Sequence, residues 1–223
     1  MGVTGGDTAR VQLYPNDTVG VDPYSIGVAG TTSGLNDKLI KKNNTWVSGS
    51  LASMDPTQTI GFMQTYGYFE ASIRFAPGPA TWDAFWFGSP RSSYSGGEGN
   101  EADIEFYGSA PTQLFYNLHE WKECPSTGQL DNGSGGCVDG SGSDYGLPDL
   151  TQAFHTYGFL WTPTTLSFYI DNALRWSTPR PIHFTTPMEI LLDNGIGSGQ
   201  PTLNQPSGAD FKVKYVHVYA PGP

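Results

Sequence analysis

The strongest constraint on the fold is a two-residue alternation of polar and apolar side chains that recurs along most of the sequence. Runs such as 64–76, 101–108, 165–177 and 210–220 place every second side chain on the same face of an extended chain. Helical periodicity of useful length is absent, and the short segment 35–43 is the best helical candidate. The pattern therefore predicts an all-β protein.

Turn signals separate these runs at close and fairly regular spacing. One of them, Asp171-Asn172, lies between two alternating segments and predicts a hairpin. No linker-like change of composition and no internal repeat divides the sequence, so we expect a single domain over 1–223. The expected architecture is an antiparallel β-sandwich of two curved sheets, of jelly-roll type, and a closed barrel is the alternative.

Composition supports a folded β-rich chain with an uncharged partner. Apolar residues make up 37% and aromatic residues 13% of the chain, too much for disorder, while 29 glycines and 17 prolines suit many tight turns. The formal net charge of −10 disfavours nucleic acid and anionic membrane surfaces as partners. No apolar run reaches the length of a membrane span. The negative charge leads us to expect a neutral partner, and the aromatic content suits sugar rings.

The two cysteines, Cys124 and Cys137, bracket a polar, glycine-rich stretch without a His or a further Cys at metal-ligand spacing. This pattern favours a disulfide that closes the loop, with two free thiols as the alternative. Such a bridge stabilises a chain by roughly 3 kcal/mol and requires an oxidising compartment. We therefore expect a secreted or extracellular protein, although the N-terminal residues lack an apolar signal core.

The stretch GNEADIEFYG stands out because it aligns three carboxylates. Glu101, Asp103 and Glu105 alternate with apolar residues, so the apolar set can pack into a core while the acids line the opposite surface. Like charges at neighbouring positions on one strand face are destabilising, and no basic residue lies between Arg91 and Lys122. The row is therefore a candidate reaction centre, and a solvated strand face is the alternative.

The spacing of the outer two glutamates fits a pair of catalytic carboxyl groups. Four residues of strand separate their Cα atoms by about 13 Å, and side chains leaning together bring the carboxyls to roughly 5–6 Å, as in retaining glycosidases. Because three adjacent carboxylates cannot all ionise freely, we expect at least one raised pKa. One glutamate would attack a sugar carbon and the other would donate a proton, and the spacing alone does not assign them.

The next alternating run carries Asn117, His119 and Trp121 on one face. An antiparallel pairing of this run with the acidic strand would place the three side chains beside the glutamates. We therefore expect them to contact a bound sugar.

The acidic stretch and four further segments resemble glycoside hydrolase family 16, which includes lichenases, laminarinases and xyloglucan transglycosylases. EADIEF resembles the family's E-x-D-x-E signature, TYGYFEASIRF its YGxFExRxK strand and TWDAFWF its W-P-A-F-W segment. FHTYGFLWTPTTLSFYIDN and KYVHVY resemble its FHxYxxxWTPxxIxFYVDG and D-Y-V-R-V-Y segments. The likeness runs in order from about Gly49 to the C-terminus.

The resemblance implies a concanavalin-like sandwich with a carbohydrate-binding cleft on its concave sheet, and an endo-acting, retaining reaction. It makes Glu101 the nucleophile, Asp103 its assisting partner and Glu105 the general acid/base. The strand lacks the extra residue before the second glutamate that is common in laminarinases, which favours β-1,3-1,4-glucan as the substrate. Lichenases, however, carry a Trp at the position of Gly99 and another at that of Gly195.

Further sugar contacts follow from the matched segments. Trp82 and Trp86 share a strand face and would stack on sugar rings, with core packing as the alternative. Glu70 lies in the YGYFE match, and Trp161 falls at an aromatic position that suits either the core or a sugar platform. The remaining expected contacts are Asp193 and Asn194.

We expect neither a cofactor nor a metal. Relatives with a structural calcium usually have Asp at the position of Lys214, and an ammonium group cannot coordinate a hard cation. The expected partner is a polysaccharide, bound by a monomer. The alternatives are a β-1,3-glucanase, a transglycosylase in which a sugar hydroxyl replaces water, and a non-catalytic, lectin-like binding module.

Overall fold

A computed structural model describes residues 24–27, 34–42, 45–54, 61–89, 99–196 and 205–221. These residues form sixteen strands and no helix, so none of their elements is a helix long and apolar enough to cross a membrane. In chain order the strands are β1 (Tyr24–Gly27), β2 (Gly34–Lys42), β3 (Thr45–Val47), β4 (Ser50–Ala52), β5 (Gly67–Arg74), β6 (Thr81–Gly88), β7 (Asn100–Tyr107), β8 (Gln113–Glu120), β9 (Leu130–Asp131), β10 (Cys137–Val138), β11 (Gly142–Tyr145), β12 (His155–Trp161), β13 (Thr165–Ile170), β14 (Ala173–Pro179), β15 (Glu189–Ile196) and β16 (Ala209–Tyr219).

Two sheets form the sandwich. The larger sheet has the order β1-β2-β16-β5-β12-β13-β14, with β3 paired to β2, and the smaller has the order β11-β8-β7-β6-β15-β4. A separate ribbon pairs β9 with β10. Every strand pair within the described ranges is antiparallel, and neighbours such as β16 and β2 are far apart in sequence. These long crossovers are those of a jelly roll, which confirms the predicted fold class.

The core between the sheets is largely aromatic. Phe69 and Phe159 of the larger sheet contact Phe87 of the smaller one, with ring centroids 5.1 and 4.7 Å apart. Phe75 stacks on Phe106 at 4.6 Å. All five side chains are fully buried, and each such ring pair contributes about 0.5–1.5 kcal/mol beyond the burial of its area.

The acidic strand β7 lies inside the smaller sheet, between β6 and β8. Its Ala102, Ile104 and Phe106 belong to the core, as the alternation predicts. The acidic side chains of the same strand therefore point to the outer face of the smaller sheet.

The segment 35–43 is not a helix, because Gly34–Lys42 forms strand β2. Leu35 and Leu39 lie on the core side of this strand. A spacing of four residues puts two side chains on the same face in either conformation. The segment is extended because its backbone pairs with β1 on one edge and with β16 on the other.

The predicted hairpin at Asp171-Asn172 joins β13 to β14. These two residues have φ angles of 49° and 65°, the left-handed values that a two-residue type I′ turn requires at both central positions. Asn and Asp tolerate this conformation better than other non-glycine residues.

Candidate active site

Strand β7 brings Glu101, Asp103 and Glu105 onto one face, where they are only 8%, 4% and 9% exposed. Residues of the neighbouring strands and of the following turn cover them. A solvated strand face would leave these carboxylates in water, so the burial contradicts that alternative. In such desolvated surroundings, charges and hydrogen bonds from immediate neighbours act strongly on each acid.

Strand β8 supplies the first set of neighbours. His119 pairs directly with Glu101, and Asn117 pairs with Asp103. Residues directly opposite each other in an antiparallel pair share a face. The structure thus brings Asn117 and His119 beside the acids, as the sequence predicts.

Glu105 is surrounded by hydrogen-bond donors. The Trp82 indole N–H donates to its Oε1 at 3.0 Å, and the Asn117 amide donates to its Oε2. The Tyr107 hydroxyl lies 3.5 Å from the same Oε2, and its ring stacks on Trp82. Burial raises the pKa of Glu105, with help from the negative charge of Glu101, although the Trp82 and Asn117 hydrogen bonds oppose the rise. This pKa suits a general acid.

Asp103 and His119 form a buried pair. The His119 Nε2 lies 3.3 Å from Asp103 Oδ2, and its Nδ1 lies 3.1 Å from the carbonyl oxygen of Gly128. Because a carbonyl only accepts, Nδ1 carries a proton. Burial and the charge of Glu101 raise the pKa of Asp103, against the effect of His119.

The pKa of His119 is raised to about 9. Burial acts against this rise, but the hydrogen bond and charge of Asp103, the charge of Glu101 and the Gly128 carbonyl outweigh it. The pair therefore holds a proton at neutral pH beyond the one on Nδ1. This proton offsets part of the negative charge of the acidic row.

Trp121 completes the surroundings of Glu101. Its indole N–H donates to Glu101 Oε2 at 3.2 Å, and its ring stacks on His119 with centroids 4.9 Å apart. Its main-chain N–H donates to the Gly99 carbonyl at 3.0 Å. Of the predicted sugar contacts, Trp121 thus lies directly against Glu101.

Strands β6 and β15 continue the smaller sheet on the other side of the acidic strand. Trp86 pairs directly with Asp103, and Ala84 pairs with both Glu105 and Asp193. The Trp86 indole N–H donates to Asp193 Oδ2 at 2.8 Å. The structure therefore places Trp86 and Asp193 on the same face as the acids.

A sequence profile described as Glycosyl hydrolases family 16 matches residues 33–214. The chain belongs to this family. Among its curated relatives is Endo-1,3-1,4-beta-glycanase EglC of Rhizobium meliloti strain 1021, 29% identical over 98% of this chain and 44% of the relative. Another is a Beta-glucanase of Bacillus subtilis strain 168, 30% identical over 61% of this chain and 50% of the relative. A third is a Keratan-sulfate endo-1,4-beta-galactosidase of Sphingobacterium multivorum, 23% identical over 96% of this chain and 52% of the relative.

Solved structures of family 16 share the fold of this chain. A Bacteroides ovatus family 16 protein, in complex with a glucan product, has a TM-score of 0.70 at 18% identity and covers 88% of this chain and 85% of its own. The laminarinase catalytic domain of Thermotoga maritima has a TM-score of 0.71 at 16% identity and covers 91% and 82%. This chain spans about half the length of the curated relatives it matches.

Three predicted contacts of this family 16 chain lie elsewhere, and their assignment to the sugar site is corrected here. Trp161 is 1% exposed and belongs to the core, where its ring meets Tyr66. Glu70 lies in the larger sheet, on the polar face of β5 that points away from the core. Its Oε1 accepts from the Tyr219 hydroxyl at 3.4 Å and faces His217.

Asn194 also lies inside the sandwich, fully buried. Its amide donates to the carbonyls of Asp37 at 2.9 Å and Ala209 at 3.3 Å, both in the larger sheet. Adjacent strand residues point to opposite faces. Since Asp193 shares the face of the acidic row, Asn194 faces the core and ties the two sheets together.

The predicted disulfide between Cys124 and Cys137 is present, with Cα atoms 6.0 Å apart. It closes the loop that follows β8 and contains the β9-β10 ribbon. The buried Glu120 carboxylate accepts from the main-chain N–H groups of Asp131 at 2.7 Å and His183 at 3.2 Å. This loop is therefore fastened to the sandwich directly beside Trp121.

Two site residues were missed in the sequence. Tyr107 follows Glu105 by two residues and so lies on the same strand face, which means that the two-residue alternation could have identified it. Gly128 contacts the rings of both Trp121 and His119. Its role depends on the path of the loop, for which the sequence carries no periodic signal.

One group of side chains in the described ranges could hold a metal ion. Glu101, Asp103 and His119 each offer one ligand atom, and these atoms lie within 4.8 Å of one another. Their contacts with each other and with the indole of Trp121 already account for their arrangement, so we assign no metal to them. Lys214, which led us to expect no calcium, places its ammonium 4.1 Å from the centre of the Phe154 ring.

Proposed function

We propose that this chain is the catalytic part of a retaining, endo-acting glycoside hydrolase that cleaves β-1,3-1,4-glucan. The observation that carries the proposal is the unequal surroundings of two glutamates on one strand. Glu105 lies among donors with a raised pKa, while Glu101 faces the Trp121 donor and the Asp103–His119 pair.

In the first step a Glu101 oxygen attacks the anomeric carbon of the glucan. The bond between that carbon and the glycosidic oxygen breaks, and the departing oxygen takes the proton of Glu105. The products are a covalent glycosyl ester on Glu101, a shortened glucan with a new hydroxyl, and an ionised Glu105. The proton of the Asp103–His119 pair offsets the charge of Glu101 before the attack.

In the second step Glu105 acts as the base. It takes a proton from water as the water oxygen attacks the anomeric carbon, and the ester bond to Glu101 breaks. This step returns Glu101 as a carboxylate and Glu105 as an acid. Two inversions at one carbon retain its configuration.

The choice of a mixed-linkage glucan has two supports. Strand β7 pairs with β6 and β8 from Glu101 to Glu105 without a register shift, so no extra residue separates the acids. Relatives that cover nearly the whole chain include two proteins named Endo-1,3-1,4-beta-glycanase. The disulfide supports the further proposal that the protein works in a secreted or extracellular setting.

Product analysis on lichenan, laminarin, xyloglucan and galactan tests this function. We expect the chain to release oligosaccharides fastest from lichenan and Glu101→Ala to release none. Faster release from laminarin or galactan would overturn the substrate while leaving the mechanism in place. Equal, negligible release by parent and variant from all four polymers, together with binding to one of them, would indicate a lectin-like module. Products longer than the donor under acceptor excess would indicate a transglycosylase.

A further inference from the structure

The turn after β8 packs against the side chains of His119 and Trp121. The N–H of Cys124 donates to the Glu120 carbonyl at 2.9 Å, and the N–H of Gly128 donates to the Cys124 carbonyl at 2.7 Å. The Gly128 carbonyl in turn accepts from the N–H of Glu120 at 3.1 Å and from His119 Nδ1 at 3.1 Å. These bonds close the turn onto the end of β8.

Gly128 packs directly against both aromatic rings. A Cβ at this position would lie 2.6 Å from two ring atoms of Trp121 and 2.9 Å from His119 Nδ1. Its φ of 67° also lies in the left-handed region, where glycine carries no steric penalty. The backbone of Gly128 and the ring of His119 thus hold the Trp121 indole in place.

The other side of Trp121 faces the reaction. Its main-chain N–H is bonded to the Gly99 carbonyl at 3.0 Å, and its indole N–H reaches Glu101 Oε2 at 3.2 Å. A glutamate can rotate about three side-chain bonds, so a donor on one carboxylate oxygen restricts where the other points.

We propose that Trp121 is a positioning residue that holds Glu101 in the orientation for attack, and that Gly128 and the Cys124–Cys137 bridge keep Trp121 in place. The inference rests on the proposed function, because it assigns Trp121 to the first step of that reaction. It gives the loop between β8 and β11 a part in catalysis through Glu101.

Trp121→Phe tests the role of the indole N–H, since phenylalanine keeps an aromatic ring against Gly128 and His119. The readout is kcat/KM on a β-glucan and on a dinitrophenyl β-oligoglucoside, whose leaving group departs without a proton. A bond to a charged group is lost, so we expect a decrease of about tenfold to a hundredfold on both substrates. The denaturation midpoint should stay close to that of the parent.

Trp82→Phe is the matched control, because it removes the equivalent indole donor from Glu105. It should lower kcat/KM on the glucan by a larger factor than on the dinitrophenyl substrate, because only the glucan needs the proton of Glu105. The inference is overturned if Trp121→Phe behaves like Trp82→Phe or like the parent. A parent protein inactive on both substrates would instead refute the proposed function.

Gly128→Ala tests whether the contact with Gly128 keeps Trp121 in place, while the indole itself is retained. Because the new methyl group would displace Trp121, we expect a loss similar to that of Trp121→Phe, and little further loss when the two changes are combined. Gly135→Ala is the control, since Gly135 has a φ of 80° in the same loop with nothing near its Cβ position. It should keep the parent rate. Fully additive losses for Gly128→Ala and Trp121→Phe would show that Gly128 does not act through Trp121.

The same substrates test the bridge with a Cys124→Ser, Cys137→Ser double variant, compared at matched folded fractions. We expect kcat/KM to fall on both substrates, and by much less when Trp121→Phe is already present. An unchanged rate in the folded double variant would remove the disulfide from the proposal.

Discussion

Glu101, Asp103 and Glu105 carry the same kind of group on one strand, and each has different neighbours. Donors from Trp82, Asn117 and Tyr107 surround Glu105, His119 faces Asp103, and the Trp121 indole faces Glu101. The pKa values of Glu105 and Asp103 are both raised, by burial above all. At the scale of single residues, side chains on neighbouring elements give three carboxyl groups different hydrogen-bond partners, and so suit them to different roles.

The pKa of His119 has a consequence for stability at high pH. His119 titrates at about 9 in the folded chain and at about 6.5 when unfolded, so its contribution to stability is complete below the lower value. That contribution is lost as the pH rises through the folded value. The raised pKa of Asp103 acts in the same direction. We expect the free energy of unfolding to fall between about pH 6 and about pH 9.5.

Denaturant unfolding of the parent and of His119→Asn at these two pH values measures this effect. Groups away from His119 titrate equally in both proteins, so the difference between the two reports the coupled Asp103–His119 pair. The fall in the variant should be smaller by on the order of 2–3 kcal/mol. Equal falls in the two proteins would contradict the assigned His119–Asp103 interaction.

At the scale of elements, alternation predicts which residues share a face but leaves open which face meets the core. Trp82 and Trp86 were predicted to share a face, and the register places both on the acid side. Trp161 also lies in an alternating strand, but its side chain is on the face that packs into the core. Glu70 lies on a polar strand face, but that strand belongs to the other sheet. The sheet order that decides these cases is set by long-range pairing, which local patterns do not report.

The adjacent residues Asp193 and Asn194 give a test at this scale. Asn194→Ala removes two bonds to main-chain carbonyls of the larger sheet. Leaving buried carbonyls without a donor costs about 1–3 kcal/mol each. We therefore expect a marked loss of stability and an unchanged KM for glucan in the folded fraction.

Asp193→Ala is the counterpart, since the Asp193 side chain lies on the face of the acidic row and accepts a hydrogen bond from Trp86. It should raise KM with a smaller effect on the free energy of unfolding. Denaturation and steady-state kinetics on both variants decide the matter. A raised KM in Asn194→Ala with unchanged stability would mean that Asn194, and not Asp193, faces the substrate.

At the scale of the whole molecule, the two stacked sheets bring the alternating acids of one strand together with side chains from its neighbours and from a loop. The aromatic core holds the smaller sheet in place, and the disulfide-closed loop adds Trp121 at one end of the acidic row. The fold class, the acidic row and its nearest neighbours on β8 could be predicted from the sequence. The contacts of Gly128 and the interior position of Asn194 could not, because they depend on loop path and on how one sheet lies over the other.

The proposed mechanism is tested most directly by identifying the residue that carries the sugar in the covalent intermediate. A dinitrophenyl β-oligoglucoside with fluorine at carbon 2 of the reacting sugar slows the second step, so the intermediate accumulates for peptide mass spectrometry. We expect one sugar per chain, on Glu101, and faster labelling of the parent than of Trp121→Phe. A label on Glu105, or turnover of the glucan with inversion at the anomeric carbon, would contradict it.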